Sequence, residues 1–326
     1  MTSRPLLDPQ LVPMLEIMPA FEFNADTLPQ IRQMSLEQMQ AEMADPRLLR
    51  REQHVPGPQG APEIRVVIHA PVDVSGASSA ARPALLHVHG GGYVMGFPEM
   101  NDVRNAALAI ALDCVIVSVD YRLAPETVFP GAIEDCYAAL LWLRDQADNL
   151  SVDPDRIALI GESAGGGLTA SLALLARDRG EVKPCFQMLV YPMLDDRTGS
   201  SREPSPLAGE FIWTAASNRF GWSALLGHLP GGEDTSPYAA AARAPSLTAL
   251  PPCCIIVGAL DLFVDEDIEY ARRLITAGVS TELHVYPGAF HGFDLMQDAQ
   301  VSRQLTRDIE AALRRGFGSG SHEQPD

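Results

Sequence analysis

Lysine is almost absent from this 326-residue chain: Lys183 stands alone beside 23 arginines. Schiff-base chemistry, a Ser–Lys pair and a P-loop each need a lysine at a defined place, and none is available. Basic charge is scarce as a whole, with 24 basic residues against 42 acidic ones and a formal net charge of −18. Such a field repels phosphate backbones and anionic lipid surfaces, so no nucleic-acid and no membrane partner is expected. Cysteine is also sparse. Cys114, Cys136, Cys185, Cys253 and Cys254 are odd in number and show no C-x-x-C spacing. That argues against a disulfide framework or a zinc site and for a reducing, cytoplasmic setting. Long apolar runs are missing: residues 106–119 are interrupted by Asp113, short of the roughly 20 residues a membrane span requires. The first residues carry Pro5, Asp8, Pro9 and Pro13, where a signal peptide would need an unbroken apolar stretch. With 46% hydrophobic and 20% charged residues, disorder, coiled coil and collagen are excluded for the chain as a whole.

What is present is alternation. Short apolar, β-branched runs at 64–69, 84–89, 114–120, 157–161, 186–191, 253–258 and 282–286 are separated by helical patterns. The helix candidates lie at about 101–112, 131–147, 164–178, 265–277 and 298–315. Several of the runs are apolar without a period of two, as strands buried on both faces should be. The expectation is an α/β fold with a mostly parallel sheet flanked by helices. Residues 1–50 and 195–245 fall outside the alternation. The first carries helical spacings (Leu7, Leu11, Met14 and Leu15; Ile31 and Met34), and the second an aromatic helix candidate with Phe211, Trp213, Phe220 and Trp222. These two segments are expected to form a helical cap over a core of 51–194 and 246–315, with 316–326 a flexible tail.

The strongest chemical signal is Gly161-Glu162-Ser163-Ala164-Gly165, directly after the apolar run 157–160 and before a helical pattern. Gly-x-Ser-x-Gly in that setting reads as a nucleophile elbow. A turn this sharp strains the backbone at Ser163 and is tolerable only if the residues two away lack side chains. The hydroxyl then stands at a helix N-terminus, where developing negative charge is favoured. A second signal, His89-Gly90-Gly91-Gly92-Tyr93, follows the run 84–88. Successive glycines let main-chain N–H groups face a cavity, which assigns the amides of Gly91, Gly92 and Ala164 to an oxyanion hole. His89 and His87 sit two residues apart with no acidic partner apparent in the sequence, so a supporting hydrogen-bonding histidine is expected there rather than a metal ligand.

A serine nucleophile needs a base, and the order Ser, acid, His selects His291 in the loop 287–293. His54 and His69 precede the serine; His284 falls in a strand, His228 in the insertion and His322 in the tail. The orienting acid is expected after the penultimate run, where Gly258-Ala259-Leu260-Asp261 supplies Asp261. Its rivals Asp265, Glu266 and Asp267 look like a first helical turn, where acids are expected for dipole reasons alone.

Taken together, these stretches resemble the hormone-sensitive-lipase-like carboxylesterases (bacterial family IV) of the α/β-hydrolase fold. The matching residues are His89–Tyr93, Asp120-Tyr-Arg-Leu-Ala-Pro-Glu126, Asp153-Pro-Asp-Arg-Ile157, Gly161–Gly166, Gly258–Asp261 and His291-Gly-Phe293. The stretch 121–141 is similar to heroin-esterase-type members. The resemblance covers nearly the whole chain. It implies a Ser163–His291–Asp261 triad, an oxyanion hole of Gly91, Gly92 and Ala164, and a cap. It also implies a small-molecule ester as substrate, with no cofactor and no metal. Glu162 stands where aspartate is commoner, which bears on local hydrogen bonding only. Residues 121–126 read as scaffold for the oxyanion loop. A homodimer through the sheet edge comes with the resemblance, although no residue of this sequence demonstrates it. Alternatives left open are an acyltransferase or amidase on the same site, and a non-catalytic receptor for a small ligand.

Overall fold

The computed structural model describes residues 2–17, 23–37, 45–72 and 81–318. Its strands, in chain order, are β1 (Leu48–Val55), β2 (Ile64–Pro71), β3 (Arg82–Val88), β4 (Val115–Asp120), β5 (Val152–Glu162), β6 (Phe186–Val190), β7 (Cys253–Gly258) and β8 (Thr281–Tyr286). They form one sheet in the order β1-β2-β4-β3-β5-β6-β7-β8. The first two pairings, β1–β2 and β2–β4, are antiparallel, and every pairing from β4 to β8 is parallel. The expected α/β sheet is therefore what forms.

The helices are α1 (Val12–Ile17), α2 (Leu28–Glu37), α3 (Asp102–Leu112), α4 (Gly131–Asp145), α5 (Ala147–Leu150), α6 (Ala164–Arg179), α7 (Ala215–Leu226), α8 (Val264–Thr276) and α9 (Gln300–Gly316). Alternate residues of the central strands feed two separate cores, because successive side chains point to opposite faces. Leu86, Leu159, Leu189 and Ile255 pack with α4, α6 and α8. Leu85, Ile116, Ala158, Ile160, Met188 and Ile256 pack with α3 and α9. Both faces are thus dry, which is why these strands read as unbroken apolar runs.

Strand β1 was not foreseen, and a boundary between residues 50 and 51 runs through it. Its sequence, Leu-Leu-Arg-Arg-Glu-Gln-His-Val, is polar, and its residues are mostly half-buried or exposed. An edge strand with one open side needs no apolar pattern. Ion pairs hold it in place instead: Arg50 reaches Asp102 at 2.8 Å, while Arg65 on β2 reaches Glu99 at 2.5 Å and Asp120 at 2.8 Å. At the other end, Phe317 is buried in the α9 core, so the fold extends past residue 316. Residues 319–326, including His322, lie outside the described residues.

In the insertion, Phe220 and Trp222 belong to α7, while Phe211 and Trp213 precede it. Thr214 caps the helix by accepting from the Ser217 amide, and Gly227 ends it at φ 74°. The N-terminal pieces grip the rim of the sheet's carboxyl end. The Asp8 amide donates to the Gly288 carbonyl at 3.0 Å, and Ser3 donates to Glu210. From α2, Arg32 donates to the carbonyls of Val94 (2.7 Å) and Ala124 (2.8 Å) and pairs with Glu126.

Candidate active site

β5 ends at Glu162 and α6 begins at Ala164, so Ser163 alone makes the turn. Its backbone lies at φ 56°, ψ −121°, a conformation costly for any residue with a Cβ and held only by surrounding structure. The flanking glycines are required by contact. A Cβ on Gly161 would fall 2.3 Å from the Gly165 carbonyl oxygen, and one on Gly165 would fall 2.0 Å from that of Val88. The Ser163 amide donates to the Val190 carbonyl, and its own carbonyl accepts from Gly167 and Met193.

The hydroxyl of Ser163 lies 2.8 Å from Nε2 of His291, whose Nδ1 lies 2.8 Å from Oδ2 of Asp261. The other Asp261 oxygen accepts from the Phe263 amide at 3.0 Å. Nδ1 faces a carboxylate, so it carries a proton and leaves Nε2 free to accept from the serine. The three residues stand at the carboxyl ends of β5, β7 and β8, although 128 positions separate the serine from the histidine. All three side chains are buried. The imidazole is packed edge-on by Tyr191 at 4.8 Å and by Phe263 at 5.2 Å, with Trp213 at 6.2 Å.

Two of the rival acids have other duties. Asp265 accepts from the Ser205 amide, and Glu266 accepts from the amides of Leu194 and Asp195 and from Thr198. Neither oxygen of Asp267 has a partner among the described residues, and burial drives its carboxyl well above the usual range.

The glycine loop abuts the elbow. A Cβ on Gly90 would lie 3.4 Å from Cβ of Ser163, and one on Gly165 would lie 2.4 Å from the His89 carbonyl oxygen. Gly91 (φ 119°) and Gly92 (φ 60°) occupy backbone conformations that suit glycine. The described residues offer no acceptor to the amides of Gly91, Gly92 or Ala164. His89 braces this loop. Nδ1 donates to the Gly90 carbonyl at 2.8 Å, the ring stacks on Tyr121 at 4.2 Å, and the Tyr121 hydroxyl donates to the His89 carbonyl at 2.9 Å. Burial pushes the His89 imidazole down to about 4, so it is neutral near pH 7.

His87 does have an acidic partner, contrary to expectation: its Nε2 lies 3.1 Å from Glu162, and its Nδ1 lies 2.6 Å from the Ser118 hydroxyl. Glu162 also accepts from Arg104 at 3.0 Å. Burial works against a charge here, but His87 and Arg104 hold the Glu162 carboxyl down at about 2. Arg104 also pairs with Asp294, which accepts from the Tyr191 hydroxyl at 2.7 Å. Sequence reasoning missed Arg104, Asp294 and Tyr191. A lone arginine two positions into a helix carries no local signal of partners 58 and 190 positions away.

The remaining described histidines lie elsewhere: His54 is on β1, His69 faces Asp102, His228 bonds the Leu229 carbonyl, and His284 pairs with Glu282. Cys254, Glu282 and His284 gather donor atoms suited to a metal, but Glu282 is engaged by both His284 and Arg315.

Comparison with known proteins places the chain in a family. Residues 85–295 match the family model described as the alpha/beta hydrolase fold. The chain belongs to that family. Among curated relatives, the hydrolase is 34% identical to the carboxylesterase NlhH of Mycobacterium tuberculosis over 97% of this chain and 98% of that one. It is also 34% identical to the esterase LipI of the same organism over 89% of each. Among solved structures, a bacterial heroin esterase superposes with TM-score 0.89 at 39% identity, covering 96% of this chain and 98% of its own. Esterase LipW from Mycobacterium marinum superposes with TM-score 0.83 at 32% identity, covering 96% of each chain. Among the described residues of the hydrolase, no helix is long and apolar enough to cross a membrane.

Proposed function

We propose that the protein is a serine carboxylesterase that cleaves short-chain acyl esters through an acyl-serine on Ser163. One observation carries the proposal: the 2.8 Å chain from Ser163 through His291 to Asp261, next to a glycine loop and helix start whose Gly91, Gly92 and Ala164 amides have no acceptor among the described residues. Nε2 of His291 takes the proton as Oγ attacks the ester carbonyl. The oxyanion forms against the amides of Gly91, Gly92 and Ala164, supported by the positive end of α6. Asp261 keeps Nδ1 protonated and stabilises the imidazolium. The alcohol leaves with the Nε2 proton, and water repeats the sequence at the acyl-serine.

The short-acyl preference is supported by the aromatic walls. Trp213 overlies Gly92, since a Cβ there would meet its ring at 2.2 Å, and Phe23 packs on Trp213 at 5.2 Å. Residues 195–245 and the N-terminal segment serve as the cap in this reading. Among the described residues all five cysteines are free, in keeping with a cytoplasmic site of action. The test compares wild type and Ser163→Ala on p-nitrophenyl acetate, butyrate, octanoate and palmitate. The proposal expects a maximum at acetate or butyrate and no turnover in the variant. Equal rates in the two proteins would overturn it, and a maximum at palmitate would overturn the chain-length assignment alone. Added alcohol tests for transfer, which would appear as a new ester in place of the free acid.

A further inference from the structure

The nucleophile and its base sit on chain segments that meet only at the site, so something must hold them in register. A guanidinium that faces two carboxylates joins these segments. Arg104, near the start of α3, donates to Glu162, the residue before the nucleophile, and to Asp294, three residues after the base. Asp294 in turn accepts from the hydroxyl of Tyr191, whose ring lies edge-on against His291 at 4.8 Å. Tyr191 itself is held at φ 36°, with its amide bonded to the Ile256 carbonyl. The chain Glu162–Arg104–Asp294–Tyr191 therefore joins the residue before Ser163 to a ring packed on His291 without including either member of the pair.

We infer that Arg104 is a positioning residue for ester hydrolysis, clamping the elbow and the base-bearing loop so that Ser163 and His291 stay within hydrogen-bond reach. The inference rests on the Ser163 reading proposed above. Both carboxylates it joins are nearly fully buried, with side-chain exposures of 6% for Glu162 and 3% for Asp294. Buried ion pairs seldom add more stability than apolar packing of the same volume would. Their distinctive property is a single geometry, and a guanidinium can face two carboxylates at once where an ammonium is a point charge. The loop it grips needs such a hold: Gly292, directly after the base, lies at φ 72°, followed by a short 3-10 turn, Phe293–Leu295.

The experiment measures kcat and KM on p-nitrophenyl butyrate, the rate of inactivation by a fluorophosphonate, and thermal stability. The proteins compared are wild type, Arg104→Met, Arg104→Lys, Asp294→Asn and the double variant Arg104→Met/Asp294→Asn. A shift of about an ångström in a reacting pair costs on the order of 100-fold, so Arg104→Met should lose roughly 10- to 100-fold in kcat. KM should stay within about twofold, and inactivation should slow in parallel. Arg104→Lys should recover only part of the loss. The double variant should be no worse than Arg104→Met, because the two residues act as one unit. Unchanged kcat in folded Arg104→Lys and Asp294→Asn, or additive losses in the double variant, would overturn the inference. Should Arg104→Met fail to fold, those two milder variants decide it. Ser163→Ala is run alongside. If it keeps full activity, the functional reading itself fails. If it is inactive while the Arg104 variants turn over normally, only the clamp fails.

Discussion

Ser118, His87 and Glu162 are hydrogen-bonded in the same chemical order as Ser163, His291 and Asp261, and the two sets adjoin through the Glu162–Ser163 peptide bond. Their surroundings separate them. Ser118 and His87 are register partners within β4 and β3, fully buried, with regular strand backbone paired in the ladder. Ser163 stands at a strained turn at the sheet's carboxyl end, against a glycine loop whose Gly91 and Gly92 amides have no acceptor among the described residues. The ring nitrogens are also exchanged. In the strand set Nδ1 faces the serine and Nε2 the acid, and that acid is shared with Arg104. Three residue types in sequence do not make a nucleophile. A place where charge can develop and be met by preorganised dipoles does.

The sharpest way to break this comparison is to remove each hydroxyl in turn. Ser163→Ala should lose roughly 10⁵-fold or more in kcat, while Ser118→Ala should stay within about threefold, measured on p-nitrophenyl butyrate. A large loss in Ser118→Ala with the fold intact would merge the two sets into one machine. Next come the acids. Asp261→Asn should cost about 10³- to 10⁴-fold by presenting the wrong tautomer, whereas Glu162→Gln should cost about tenfold at most, through the Arg104 contact. The donors follow. Gly92→Ala must fit a Cβ into the Trp213 ring at φ 60° and should lose about 10²- to 10³-fold. Gly180→Ala, at φ 71° with open space around it, should leave kcat unchanged and cost only about 1 kcal/mol of stability.

A separate effect concerns acid stability rather than turnover. The Glu162 carboxyl lies at about 2 when folded, against an ordinary value of 4.5. The unfolded chain therefore binds the proton first as pH falls. The stabilisation is complete above about 4.5 and drains away as pH drops through 2, amounting to on the order of 3 kcal/mol. Glu162→Gln should show a flatter loss of urea midpoint between pH 4.5 and 2. An unchanged slope would mean that the strand set carries no such coupling.

Legibility in the sequence followed locality. The elbow and the glycine loop could be read because strand, turn and helix signals sit within a dozen residues. That Asp261 and His291 would meet Ser163 could be read because chain order limits the candidates. Strand β1 could not, since an ion-paired edge shows no apolar period. The acid partner of His87 and both partners of Arg104 were invisible for a different reason: each bond joins residues brought together only by the stacking of α3, β3, β5 and the loop after β8. The sequence also placed all four insertion aromatics on one helix, but Phe211 and Trp213 precede α7, and Thr214 caps its start between them and the helix.

Gly92 links the insertion directly to the loop proposed as the oxyanion hole. The Trp213 indole rests against it, and a Cβ on Gly221 of α7 would come within 2.7 Å of its carbonyl oxygen. With no intervening layer, influence must run both ways, as thermodynamic linkage demands. In the proposed mechanism, whatever steadies a tetrahedral oxygen at that loop also steadies the segment leading into α7, and a change in the segment alters turnover without touching substrate. Selection for a new ester could therefore act on the insertion alone and leave Ser163, His291 and Asp261 as they are.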